Sequence, residues 1–77
     1  MNENRLVNIV RGLERIKSNL PKYKEYPEII KHLEKKQSSY EEEFLDKLQD
    51  IRLREGANQR YTMYANWYKK HKGVEHI

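Results

Sequence analysis

The sequence has no cysteine, and its 77 residues include only three glycines, two prolines and one phenylalanine. The missing thiols exclude a disulfide framework and a thiolate metal site. The shortage of chain breakers, with 36% charged residues, leaves a chain made mostly of helix formers, so the fold class reads as all-α. No stretch approaches the ~18 apolar residues of a membrane span. The opening Met-Asn-Glu-Asn-Arg-Leu carries no long apolar run of the signal-peptide kind. A cytoplasmic protein without a membrane partner is therefore expected.

Large apolar side chains are also scarce. Leu, Ile, Val and Phe account for 17 residues, about 22% and just above the ~20% below which disorder is expected. A single small domain of this kind typically gains only ~3–5 kcal/mol from its core, so a bound partner or a second copy would be a natural supplement.

Catalytic groupings are absent too. His32, His71 and His76 lack metalloprotease spacing, and no carboxylate lies where a shared zinc site needs one. No glycine-rich phosphate loop exists, and the Ser38-Ser39 pair has no evident base or oxyanion donor. The chain reads as a non-enzyme with no cofactor and no metal.

What is present is helical patterning. Leu6, Ile9, Leu13, Ile16 and Leu20 repeat with 3-4-3-4 spacing, an a/d seam with Val10 alongside and Val7 on a flank. This predicts a first helix over about 3–19, capped by Asn2 or Asn4. Gly12 at the edge of the stripe fits either a close helix approach or a tolerated surface glycine, while Arg11 and Arg15 fall on the far face. Pro21 should stop this helix by pushing its predecessor out of the α region. Tyr23 and Tyr26 in the connector are expected to cover the end of the core, with their hydroxyls in water.

Pro27 is a favoured first residue for a second helix. Ser38 and Ser39 are each followed three residues later by Glu, the capping-box pattern, which would start a new helix there. Against a break, Ile30, Leu33, Gln37, Tyr40, Phe44, Leu48 and Ile51 keep one phase, within roughly 80° on an uninterrupted helix. One helix over 27–54 is predicted, ~42 Å long at 1.5 Å per residue. Gly56 suits its C-terminal cap. Asn58 can cap a third helix over 59–72, closed by Gly73. The result is a small antiparallel three-helix arrangement with a long central helix. Its first helix covers the early part of the second, and its third folds back over Phe44, Leu48 and Ile51.

That third helix is the unusual stretch. Tyr61, Tyr64, Trp67 and Tyr68 are four of the seven Tyr and Trp residues, and Lys69, Lys70 and Lys72 follow at once. Its apolar arc spans near 200°, wider than the ~100° one packing interface needs. The Tyr61, Tyr64, Tyr68 face is the better core filler, which leaves Met63 and Trp67 toward the rim. Arg60, Met63, Tyr64, Trp67, Lys69, Lys70 and Lys72 are the candidate partner-binding residues.

Net charge is +4 overall. It divides into +3 over residues 1–25, −2 over 26–55 and +3 over 56–77. Basic ends around an acidic middle fit either helix pairing or an anionic partner. A helix-turn-helix around Gly56 is disfavoured: Arg52 stands where a small residue belongs, and Thr62 where a buried aliphatic one does. Aromatics interleaved with cations could instead stack bases and neutralise phosphates. Trp, Tyr and Arg equally dominate protein hot spots, and Met63 beside Trp67 would make an adaptable apolar patch. The expectation is a small regulatory binding protein, with a protein partner slightly ahead of nucleic acid. Self-association through the Leu6–Leu20 seam is the third reading.

Overall fold

The computed structural model describes residues 2–76 and the side chains of residues 5–76. The protein is all-α: α1 spans Asn2–Asn19, α2 spans Pro27–Glu55 and α3 spans Gln59–Lys72. The side chains of Asn2 and Asn4, the expected caps of α1, lie outside the described ones. The chain divides into two compact units, residues 1–45 and 46–77, and the long central helix α2 contributes to both.

In the first unit α1 runs antiparallel to the first part of α2. The seam behaves as its spacing predicts: Leu6, Ile9 and Leu13 are fully buried, Ile16 nearly so, and Phe44 of α2 is buried in the same unit. Full burial of such a side chain contributes ~1.5–3 kcal/mol. Leu20, Ile30, Leu33 and Tyr40 are half-buried flanks. The main residues of the seam are covered within one chain. Gly12 marks a close approach: a Cβ placed there would lie 3.0 Å from Cε2 of Tyr40. Arg5 ties α1 to α2 further along, its Nε and Nη2 each donating a 2.6 Å hydrogen bond to the Glu43 carboxylate. That hydrogen bond, more than the Coulomb attraction, raises the Arg5 pKa above its ordinary value, against a smaller opposing effect of desolvation. Both side chains stay partly in solvent, where such pairs add little stability.

The connector differs from expectation in two ways. Pro21 does not push the chain into an extended conformation; Leu20–Tyr23 form a 3-10 turn directly after α1. Proline has no N–H to donate, so the i→i−4 ladder cannot continue, and a tighter right-handed turn takes over. Tyr23 and Tyr26 do not close the core. They are 37% and 57% exposed and meet each other edge-on, with centroids 6.5 Å apart.

α2 passes through Ser38 and Ser39 without a break, and the capping-box pattern there is not used. The unchanged apolar phase outweighs it, because a new cap would rotate the downstream stripe. α2 ends where Gly56 takes φ +77° and its N–H donates to the Arg52 carbonyl at 2.9 Å, the single-bond left-handed cap.

In the second unit α3 turns back along the last part of α2. Asn58 caps it, its Oδ1 accepting from the Tyr61 N–H at 2.9 Å. Asn58 Nδ2 donates to Glu55 at 2.8 Å, so one side chain joins both helix ends. Gly73 closes α3 at φ +69° with a Schellman motif: Gly73 N–H donates to Lys70 O and Val74 N–H to Lys69 O. Leu48, Ile51, Tyr64, Ala65 and Tyr68 are this unit's buried set. Tyr61 is only half-buried, with the Arg52 guanidinium 6.0 Å from its ring centroid.

Candidate functional site

The surface of α3 follows from two constraints. The Asn58 cap fixes where the helix starts, and burial of Tyr64, Ala65 and Tyr68 fixes its rotation. At roughly 100° per residue, Met63, Asn66, Trp67 and Lys70 then fall on one outward face. Met63 is 58% exposed, and Trp67 beside it is half-buried.

Trp67 is stacked on by His71, a role that metal-ligand spacing alone does not reveal. The His71 imidazole stacks on the indole, with centroids 5.0 Å apart and planes 11° apart. The i,i+4 spacing of Trp67 and His71 was the available signal. No group of three or more His, Cys, Asp or Glu able to hold a metal occurs among the described residues, so the stacking is what the structure shows for His71. His71 also lies against Tyr68, centroids 6.1 Å apart, which links the surface indole to the buried ring.

The other candidates separate. Tyr64 is buried at 7% exposure and belongs to the packed face, because its position one turn from Tyr68 points it at α2. Arg60 is half-buried and donates to Glu55 Oε2 at 3.3 Å, so its charge serves the α2–α3 junction. The lysines diverge around the helix: Lys70 shares the Met63 face, Lys69 lies about 120° round it, and Lys72 about 180°. Sequence adjacency had made them look like one cluster.

What remains together is an apolar pair, Met63 and Trp67, with one amide and one cation beside it. No nucleophile with an adjacent base lies among these four. Among the described residues no helix is long and apolar enough to cross a membrane. Compared with known proteins, the chain matches no family model, no curated protein and no solved structure.

Proposed function

We propose that the chain is a small, non-enzymatic regulatory protein that recognises a protein partner through the Met63–Trp67–Lys70 face of α3. One observation carries the reading: a large flexible thioether stands 58% exposed beside an indole that is fixed by a stacked ring. An adaptable apolar contact next to a rigid aromatic anchor is the composition of a hot spot. Lys70 on the same face favours a partner segment with an acidic residue next to its apolar one. A cysteine-free chain suits a reducing compartment, and we place this activity in the cytoplasm.

A nucleic-acid platform is less well supported. Base stacking needs open ring faces, whereas Tyr64 and Tyr68 are buried and one face of Trp67 is taken by His71. Phosphate tracking needs cations in a row, and Lys69, Lys70 and Lys72 point in different directions.

Photo-crosslinking tests the reading. A photoactivatable methionine analogue at position 63, in lysate of the source cells, should give a discrete protein adduct that survives nuclease. The same group at exposed Ser18 should not give that adduct. An adduct lost on nuclease treatment would assign the face to nucleic acid, and equal labelling from both positions would remove its special status.

A further inference from the structure

We propose that the groove between α1 and the first part of α2 binds a small phosphate monoester, its phosphate between Arg15 and Lys36 and its apolar body on Ile16 and Leu33. The groove has a volume of about 140 Å³ and is lined by Gly12, Arg15, Ile16, Asn19, Leu33, Lys36 and Tyr40. That space matches one six-membered ring or a phosphate with a short substituent, close to the ~150 Å³ cavity that admits benzene. Its floor is apolar and its rim carries two cations and two neutral polar groups, the usual division in a small-ligand site.

Charge selects the ligand class. Arg15, expected on the far face of α1, instead edges the groove; it and Lys36 come from different helices and both are exposed. By the helical period Glu14 and Glu34 fall on the opposite sides of α1 and α2, away from it. Glu43 lies on the groove side, but its carboxylate accepts both hydrogen bonds from Arg5. Two like charges at the rim of one concavity favour an anion. A phosphate monoester, at about −1.5 to −2 near pH 7, matches a pair of cations better than a single carboxylate does. The Arg15 fork can take two phosphate oxygens while Lys36 acts as a point charge, and the Asn19 amide supplies a further donor. Gly12 is part of the design: without a side chain it admits the Tyr40 ring, which forms one wall.

This site is on the first unit and does not depend on the α3 reading. Its test is amide chemical-shift mapping of the full chain with phenyl phosphate, inorganic phosphate and phenol. The expected result is shifts over residues 12–19 and 33–40, strongest affinity for phenyl phosphate, weaker for inorganic phosphate and none for phenol. Arg15→Gln and Lys36→Gln should each weaken phenyl phosphate about tenfold, the loss expected for an exposed charge-assisted contact. Lys31→Gln, on the opposite side of α2 by the helical period, should leave it unchanged. Both test residues are exposed, so the variants keep the fold. An absence of shifts, shifts spread over every lysine-bearing surface, or unaltered affinity in Arg15→Gln and Lys36→Gln would overturn the proposal.

Discussion

Gly12→Ala sets two opposing effects of known size against each other. A glycine inside a helix costs ~0.5–1 kcal/mol relative to alanine, so the substitution should stabilise α1 by that amount. The new Cβ, however, would sit 3.0 Å from Tyr40 Cε2 and 3.4 Å from Cζ. Carbon pairs prefer ~3.5–4.0 Å, so the ring must retreat by roughly half an ångström. Tyr40 is half-buried on an open groove and can slide, which keeps the loss below the ~1–3 kcal/mol of true overpacking. Gly12→Ala should therefore be close to neutral, within ~0.5 kcal/mol. In a Tyr40→Ala background the ring is gone, and the same substitution should recover the full ~1 kcal/mol. Urea unfolding of the four chains, followed by circular dichroism, yields the coupling directly. An equal effect of Gly12→Ala in both backgrounds would show that Gly12 is not a site of close approach.

Leu13→Ala removes a fully buried side chain and should cost ~2–5 kcal/mol, enough to unfold so small a domain; an osmolyte titration should restore the helical signal. Replacing Ser38 and Ser39 by alanine should raise stability by up to ~1 kcal/mol, since both lie inside α2; a loss would mean that a serine cap contributes there. Gly73→Ala forces a side chain into φ +69° and should cost ~1–2 kcal/mol in thermal unfolding, against little change for Lys72→Ala.

The elements were legible because each rests on short-range signals. The 3-4-3-4 seam located the buried face of α1, the unbroken phase located α2 across Ser38, and Asn58, Gly56 and Gly73 marked helix ends by their side-chain and backbone chemistry. Periodicity tells which way a residue points and not what it meets. Gly12 allowed for a close approach without naming Tyr40 as what it meets, and the Arg5–Glu43 pair, 38 residues apart, had no local signature. The 3-10 turn at Leu20–Tyr23 was missed because the steric rule for residues before proline is a preference that an abutting helix can override. At the candidate site, residue type alone grouped Arg60, Tyr64 and three lysines with Met63 and Trp67. Only the rotation fixed by Tyr64, Ala65 and Tyr68 sorts them into core, junction and outward face.

The proposed function requires Met63 to serve recognition and not folding. Its most direct test is the affinity of the crosslinked partner for Met63→Glu, measured by titration calorimetry against the parent chain. Glutamate is a good helix former and Met63 is 58% exposed, so the variant should melt at an unchanged temperature. Loss of a hot-spot contact of ~2 kcal/mol should then weaken binding about 30-fold. A folded Met63→Glu chain that binds the partner as tightly as its parent would overturn the role proposed for this face.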